Sequence, residues 1–380
     1  MLQSYDSCIK CSLCVAACPV YEVDRTFAGP KALGPDWIRI YESGERVTDP
    51  TVEACTFCQL CEAACPVGVP VAHLIAKHKE AKTRSLAVRI RDYGLTHPDW
   101  LARLPEVTLL PKVLAKAALI STKPRWPRPD RSRWTANGAG NSVGVWVDCY
   151  TRGFDGHVLA ATLGLLDAWG FSGIPLPKRS ACCGAAAMAS GRLHGAKQAE
   201  SSARSELPEI SKKLAVLVTL NATCDATLRS EWQPPLEFEI VPFVEFALAA
   251  AGDDFFDLLA TARGEANVYA HATCRSQVAR GPGAMAELCK RSGIEAIPLD
   301  ASCCGAAGSY AFKREHEKIS RTLGSLATAT IAGSSSSTVL VDSGPCALHL
   351  ADLSGARVLH PAVWLYQRFN EAGGVGVDNP

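Results

Sequence analysis

Short apolar runs alternate with stretches of helical periodicity over the C-terminal two-thirds of the chain. Val143–Val147 and Leu214–Leu220 are apolar and rich in β-branched residues, which favours buried strands. Leucines recur at helical spacing in His157–Trp169, which predicts a helix between them. Further strands are predicted at Gly173–Leu176, Asn267–Ala270, Glu295–Leu299 and Thr338–Val341, and further helices at Gly184–Leu207, at Ala284–Arg291 and after Gly305. Strands and helices in alternation predict parallel sheets with helices on their faces.

Cysteines repeat in step with these elements. A single cysteine, a CCG doublet and a further cysteine recur at offsets of 125, 121 and 122 residues. The first copy holds Cys149, Cys182, Cys183 and Cys224, and the second holds Cys274, Cys303, Cys304 and Cys346. Each single cysteine follows a predicted strand, and each doublet follows a strand and opens a predicted helix. Ligands gather at the carboxyl ends of parallel strands, and helix N-termini favour thiolates, so we expect each group of four to converge.

A shorter repeat lies near the N-terminus. Cys8–Val20 (CIKCSLCVAACPV) and Cys55–Val67 (CTFCQLCEAACPV) share nine of thirteen residues, and both fit C-x2-C-x2-C-x3-C-P. In two-cluster ferredoxins, three cysteines of such a run bind one [4Fe–4S] cluster and the fourth binds the other. We therefore expect two ligand sets: set 1, Cys8, Cys11, Cys14 and Cys65; and set 2, Cys55, Cys58, Cys61 and Cys18. Two zinc sites are the alternative, but zinc prefers paired C-x2-C units separated by long gaps.

Composition narrows the class of protein. The 380 residues carry a net charge of +1 and no basic–aromatic stripe, so nucleic acid is not an expected partner. The 17 cysteines would suit a disulfide scaffold only with an export signal, and no apolar leader precedes Cys8. The sequence has no run of about 18 apolar residues, so no transmembrane helix is predicted. We therefore expect no signal peptide, a cytoplasmic location and reduced thiols that bind metal.

The repeats divide the chain into regions. They are a ferredoxin-like domain at 1–82, a helical, proline-rich and basic linker at 83–141, repeat 1 at 142–262, repeat 2 at 263–372 and a tail at 373–380. The expected fold class is α+β multidomain: a helical domain for two [4Fe–4S] clusters, then two tandem α/β repeats with small parallel sheets. Trp100–Trp126 has the pattern of a basic amphipathic helix, which either lies on a membrane surface or packs on the ferredoxin-like domain.

The metal content of the CCG repeats stays open. Four thiolates per repeat suit an additional iron–sulfur cluster, and a structural zinc ion is the alternative. Cys289 has no counterpart in repeat 1 and is expected in the core. His271 is expected to tune a cluster or relay a proton, or else to cap a loop. Tyr310 and Lys313 are expected to have surface or packing roles, and hydrogen bonds from them to cluster sulfurs are the alternative.

The N-terminal sequence CIKCSLCVAACPVYEVDRTFAGPKALGPD, the second run CTFCQLCEAACP and the two CCG repeats resemble the family formed by the C subunits of anaerobic glycerol-3-phosphate dehydrogenases. The segments AGPKALGPD and CCGAAGSYAFK favour this branch over the similar iron–sulfur subunits of glycolate and L-lactate oxidation. The resemblance implies an electron-transfer subunit of anaerobic respiration and glycerol metabolism. Such a subunit passes electrons from a flavoprotein to menaquinone or another membrane acceptor, and lies peripherally on the inner face of the cell membrane.

One departure from the fuller CCG pattern concerns its closing C-x2-C. The first cysteine of that pair is replaced by Asn221 in repeat 1 and by Ser343 in repeat 2. The five-thiolate cluster of the related heterodisulfide reductase subunits is therefore not expected, although both side chains offer oxygen ligands. A catalytic, heterodisulfide-reductase-like role remains an alternative to electron relay, and so does a role in glycolate or lactate oxidation.

Overall fold

The computed structural model describes residues 5–45, 47–97, 120–121, 141–177, 182–207, 214–262, 265–281, 283–331 and 337–374. Within them the chain forms a helical N-terminal region and two parallel sheets. Most of the predicted amphipathic helix at Trp100–Trp126, and most of the predicted tail, lie outside the described residues.

Short helices and turns build the N-terminal region. The helices are α1 Leu13–Ala16, α2 Pro19–Val23, α3 Trp37–Glu42, α4 Leu60–Ala63, α5 Val71–Ala81 and α6 Leu86–Leu95. Tight 3-10 turns occur at Tyr5–Ser7 and Pro50–Ala54, and a π-helical turn at Ala32–Asp36. α1 and α4 occupy equivalent places in the two cysteine runs. α2 begins at Pro19. Proline suits this position because the first N–H groups of a helix have no partner within the helix, so the N–H that proline lacks is not needed.

The segment between the two cysteine runs packs against α5. The π-helical turn brings Gly34 so close to this helix that an added Cβ would lie 3.1 Å from a Val71 methyl carbon. His78 of α5 accepts a hydrogen bond from the Asp49 N–H at 3.0 Å and donates one from Nδ1 to the Leu33 carbonyl at 3.1 Å. Both ring nitrogens of His78 are thus hydrogen-bonded to this segment, and these bonds hold the segment to α5.

Each CCG repeat folds around a four-stranded parallel sheet. The strand order is β2-β1-β3-β4 in repeat 1 and β6-β5-β7-β8 in repeat 2, so the two sheets have the same topology. The strands are β1 Asn141–Trp146, β2 Phe171–Leu176, β3 Val216–Thr219, β4 Glu239–Pro242, β5 Asn267–His271, β6 Glu295–Pro298, β7 Thr338–Val341 and β8 Arg357–Leu359. Repeat 1 and its connection to repeat 2 contain the helices α7 Cys149–Phe154, α8 Gly156–Ala168, α9 Ala185–Ala189, α10 Leu193–Ser205, α11 Ala222–Ser230, α12 Phe243–Ala250 and α13 Asp253–Thr261. Repeat 2 contains α14 Cys274–Ala279, α15 Gly283–Arg291, α16 Glu317–Thr328, α17 Gly344–Ser354 and α18 Pro361–Glu371.

The predicted elements are confirmed in kind, with three differences. The helix expected over Gly184–Leu207 is broken at Gly191, whose φ of +65° makes a turn between α9 and α10. The doublet of repeat 2 does not open an α-helix, because Ala307 and Gly308 have positive φ and α16 begins only at Glu317. No pattern predicts the edge strands β4 and β8, which have four and three residues.

Among the described residues, four apolar cores hold these parts together. The largest lies between the sheets, where α8 contacts α18 and where Val145, Val268 and Trp364 share one buried cluster. Two smaller cores contain further apolar residues of each repeat separately. The core of the N-terminal region includes Cys303 and Leu323 of repeat 2. The N-terminal region is therefore packed directly against the second repeat.

Candidate metal centre

The two cysteine runs share an unusual backbone. Lys10 and Ser12 flank the second cysteine of the first run with φ of 60° and 65°, and the equivalent Phe57 and Gln59 have 58° and 65°. Residues other than glycine reach this left-handed region at a cost of about 1–2 kcal/mol each. Because the same strain recurs in both runs, we attribute it to wrapping three closely spaced cysteines around one centre.

The structure brings the cysteines of set 1 together. Burial raises the pKa of Cys14, and the negative charges of Cys8, Cys11 and Cys65 raise it further. The backbone N–H of Val69 points at the Cys65 sulfur, 3.3 Å away. Four cysteine thiols gathered in this way are a donor set that suits a cationic metal group.

Set 2 is assembled in the same way and is more deeply buried. Burial raises the pKa of Cys61 well above its usual range, with further contributions from Cys58, Cys55 and Cys18. Backbone N–H groups lie 3.4 Å from the Cys55 sulfur and 3.5 Å from the Cys18 sulfur. Cys65 thus lies near Cys14 and Cys18 near Cys61, while the assignment of the eight cysteines to two separate clusters stays a prediction. The thiols and N–H groups of both sets fit an iron–sulfur cluster.

A buried lysine joins the set 2 loop to repeat 1. Lys79 of α5 is 3% exposed, and its ammonium donates to the Cys55 carbonyl at 2.6 Å and to the Ala189 carbonyl at 2.7 Å. Ala189 is the last residue of α9, the helix that follows the doublet of repeat 1. An added Cβ on Gly191 would lie 2.4 Å from the Lys79 Cβ, so this position needs glycine for close approach as well as for its φ.

A network of charged side chains connects the same loop to both repeats. His73 hydrogen-bonds the Glu62 carboxylate through Nδ1 at 2.8 Å and the Glu231 carboxylate through Nε2. Gln59 donates to Glu231 at 2.6 Å, and an Arg275 nitrogen lies 3.4 Å from Glu231. Burial opposes protonation of His73, but its hydrogen bonds to Glu231 and Glu62 outweigh this and raise its pKa to about 10.

The cysteines of both CCG repeats meet in one cavity of about 150 Å³. The sulfur-bearing residues of its wall are Cys58, Cys149, Cys182, Cys183, Cys224, Cys274, Cys303, Cys304 and Cys346. The expected convergence at the carboxyl ends of the strands is therefore present, and the two groups of four converge on each other. Cys58 of set 2 belongs to the same wall, so the N-terminal region borders this cavity directly.

Inside the cavity, each doublet cysteine lies beside a different strand-end cysteine. The neighbours are Cys149 and Cys182 at 3.9 Å between sulfurs, Cys183 and Cys224 at 3.3 Å, Cys274 and Cys303, and Cys304 and Cys346. In each doublet the two thiols face different neighbours, so they suit a metal group that is larger than one tetrahedral ion. Among the described residues, no three His, Cys, Asp or Glu side chains are arranged around a single-ion site.

Helix caps occupy the positions where the fuller CCG pattern has another cysteine. Asn221 caps α11 and accepts a hydrogen bond from the Thr223 N–H at 3.0 Å, so its side-chain oxygen is already in use. Ser343 stands at the equivalent position before α17, where its side chain makes no cap hydrogen bond. Both residues line the cavity.

Tyr310 and Lys313 contact backbone and charged groups. The Tyr310 hydroxyl donates to the Ala54 carbonyl at 2.9 Å, next to the first cysteine of set 2. Lys313 pairs with Asp92 at 3.2 Å. Both side chains are buried, so the expected packing role is present and a surface role is wrong.

The two remaining candidates lie away from the cavity. His271 is fully buried at the end of β5, and burial lowers its pKa to about 4. Neither of its ring nitrogens has a hydrogen-bond partner among the described residues, so the loop cap considered for it is wrong. Cys289 lies in the core between the sheets, as expected.

No motif in the sequence points to Lys79, His73 or Arg275. A signal nevertheless exists for Lys79, which follows Val71 and Ile75 at helical spacing on the buried face of α5. A lysine on the apolar face of a helix indicates a specific buried partner, because an unpaired buried ammonium is costly.

Comparisons with known proteins agree with this geometry. The family described as 4Fe-4S dicluster domain matches residues 4–69, and the family described as Cysteine-rich domain, CCG, matches residues 143–229 and 268–351. The chain is therefore an iron–sulfur protein with an N-terminal ferredoxin-like domain followed by two CCG repeats.

The resemblance noted in the sequence is confirmed over nearly the whole chain. The C subunit of the anaerobic glycerol-3-phosphate dehydrogenase of Escherichia coli strain K12 is 28% identical over 392 aligned positions, covering 96% of this chain and 98% of the relative. The C subunit of the same enzyme from Escherichia coli O157:H7 matches with the same identity and coverage.

The helices of the chain are too short or too polar to cross a bilayer, as far as the structure describes them. Within the described ranges, no helix combines the length and apolar character that a bilayer span requires.

Proposed function

We propose that this chain is the electron-relay subunit of a flavoprotein dehydrogenase complex of the glycerol-3-phosphate type. It takes electrons from a flavoprotein partner through set 1 and set 2 into the CCG cavity, and delivers them to menaquinone or another membrane acceptor. The observation that carries the proposal is the position of Cys58. This residue belongs to set 2 and also lines the cavity of the CCG repeats, so the two redox regions share a wall.

The exposure of set 1 supports its role as the point of contact with the donor. Cys11 is exposed, and the neighbouring Ile9 is 62% exposed. At the equivalent place in set 2, Thr56 is 6% exposed. An apolar, accessible surface beside a redox site suits a partner protein, whereas an enclosed site suits transfer inside the chain.

The side chains of this chain have three tasks in the relay. The cysteines of sets 1 and 2 would hold two [4Fe–4S] clusters, which supply one-electron carriers when bound. Backbone N–H groups directed at the sulfurs stabilise thiolate charge, and the apolar core around set 2 excludes water. The eight CCG cysteines would hold further iron–sulfur material, with zinc as the alternative.

Metal analysis and one substitution test the proposal. We expect acid-labile sulfide and more than about eight irons per chain, because two [4Fe–4S] clusters account for about eight. Cys304→Ser should leave the ferredoxin-type signals in electron paramagnetic resonance (EPR) unchanged and reduce electron delivery to a quinone. Absence of acid-labile sulfide would exclude the relay altogether. About eight irons together with zinc would make the CCG repeats a structural module.

Two further assignments accompany the relay. The five regions at 1–82, 83–141, 142–262, 263–372 and 373–380 are proposed as its domains, linker and tail. The complex is proposed to lie on the cytoplasmic face of the cell membrane, as the resemblance implies. Asn221 and Ser343 stand where a five-thiolate catalytic site would need a further cysteine, so we expect no turnover of a heterodisulfide by the isolated chain with reduced viologen.

A further inference from the structure

Arg275 is a buried cation with unused donors in the CCG cavity. It follows the first cysteine of repeat 2 directly, is 4% exposed and lines the cavity. Its Nη2 lies 3.4 Å from the Glu231 carboxylate and 3.5 Å from the Thr227 hydroxyl. Its Nε and Nη1 have no hydrogen-bond partner among the described residues. A buried guanidinium normally uses its donors, so two nitrogens without a partner indicate an anionic group that occupies the cavity.

Repeat 1 has no such cation at the equivalent position. The residue that follows its first cysteine is Tyr150, which also lines the cavity. The preceding residues correspond as well, because Asp148 caps α7 as Thr273 caps α14. The two repeats thus place the same backbone around their cysteines but offer a neutral phenol in one case and a guanidinium in the other.

Arg275 also lies on the side of the cavity nearest to set 2. Its guanidinium carbon is 5.9 Å from the centroid of the Phe57 ring, and Phe57 immediately precedes Cys58. The apolar core of the N-terminal region includes Phe57 and Cys61 together with Cys303, so set 2 packs against the doublet of repeat 2. The route from set 2 into the cavity therefore begins at repeat 2, beside this arginine.

We propose that Arg275 donates hydrogen bonds from Nε and Nη1 to an anionic iron–sulfur group held by the four cysteines of repeat 2. The second repeat thereby becomes the first acceptor of the electron that leaves set 2. This inference rests on the proposed function, in which the CCG repeats are redox-active. The step moves one electron, and no bond is formed or broken. A fixed cation with two donor nitrogens favours the more negative, reduced form, so it raises the reduction potential of repeat 2 relative to repeat 1.

Potentiometric EPR on the full chain, purified without oxygen, tests the inference. The repeat 2 signal is first assigned as the one that Cys304→Ser removes. Arg275→Gln should shift its reduction equilibrium about tenfold towards the oxidised form, which is 59 mV for a one-electron couple, while the iron content stays unchanged. Arg275→Lys keeps the charge and the pairing with Glu231, and should recover part of the shift. Arg229→Gln is the matched control, since it removes an arginine at a half-exposed position outside the cavity lining.

The possible outcomes distinguish the role of Arg275 from the redox role of the CCG repeats. If the wild type contains iron in the CCG repeats but Arg275→Gln and Arg275→Lys leave the repeat 2 potential unchanged, only the role of Arg275 is wrong. The same holds if Arg229→Gln produces an equal shift. If the wild type has no iron beyond sets 1 and 2, the redox role of the repeats fails and the inference fails with it. Should Arg275→Gln not assemble, the Arg275→Lys measurement decides, because that variant retains the buried ion pair.

Discussion

The two cysteine runs, which supply most of set 1 and set 2 respectively, share nine of thirteen residues and the same left-handed turns, yet their surroundings differ. The second cysteine of set 1 is exposed, whereas its counterpart Cys58 forms part of an internal cavity wall. Set 2 is held by Lys79 from α5 and by Tyr310 from repeat 2. The cysteine spacing therefore determines the loop, while packing by the repeats determines what each loop can contact.

The largest effect is expected where set 2 is held against repeat 1. Gly191→Ala adds a Cβ 2.4 Å from Lys79 and forces alanine into positive φ, which we expect to cost about 2–3 kcal/mol in unfolding free energy. Gly170→Ala is the control, because Gly170 also has positive φ but has no atom within 4 Å of an added Cβ. It should cost only about 1 kcal/mol. Denaturant unfolding measures both, and equal losses would show that the close approach to Lys79 does not matter.

Removing the buried ammonium of Lys79 should distinguish set 1 from set 2 by their reduction potentials. Lys79→Met is expected to shift the reduction equilibrium of set 2 about tenfold towards the oxidised form, or 59 mV, and to leave set 1 unchanged. Lys77→Met, on the exposed side of the same helix, controls for loss of charge. Redox titration followed by EPR measures both potentials. A shift of both signals by the same amount would contradict a local role for Lys79.

The last comparison concerns pH and the His73 network. In the folded chain the pKa of His73 is raised from 6.5 to about 10. The stabilisation that its charged pairs give is therefore complete below pH 6.5 and is lost as pH rises towards 10. His73→Gln should remove this dependence, and the exposed His194→Gln should not. Unfolding free energies measured between pH 6 and pH 10, at about one-unit intervals, provide the comparison. A steeper fall with pH in His73→Gln than in the wild type would show that the assigned ion pairs are absent.

Much of the fold and of the cysteine arrangement could be predicted because both depend on local rules. The spacing within each run determines its turns, and strand–helix alternation places Cys149 and Cys274 at the ends of β1 and β5. What could not be predicted depends on contacts between distant segments. The pairing of Lys79 with Ala189 spans 110 residues, and that of Gln59 with Glu231 spans 172. Neither contact follows from periodicity or spacing.

The local details that the sequence patterns did not predict also depend on contacts with distant segments. The break at Gly191 arises from the need to approach α5, and a single glycine within a helical pattern does not reveal that need. The edge strands β4 and β8 each pair with only one neighbour, β3 and β7, and are too short for an apolar period. In both cases the partner segment determines the local structure.

The central claim is that set 2, and not set 1, borders the redox centre of the CCG repeats. Pulsed EPR on the fully reduced wild type tests it through relaxation enhancement between paramagnetic centres. We predict that the signal removed by Cys304→Ser relaxes the ferredoxin-type signal whose potential Lys79→Met shifts, and that the other ferredoxin-type signal is affected less. A stronger effect on the signal that Lys79→Met leaves unchanged would contradict the account.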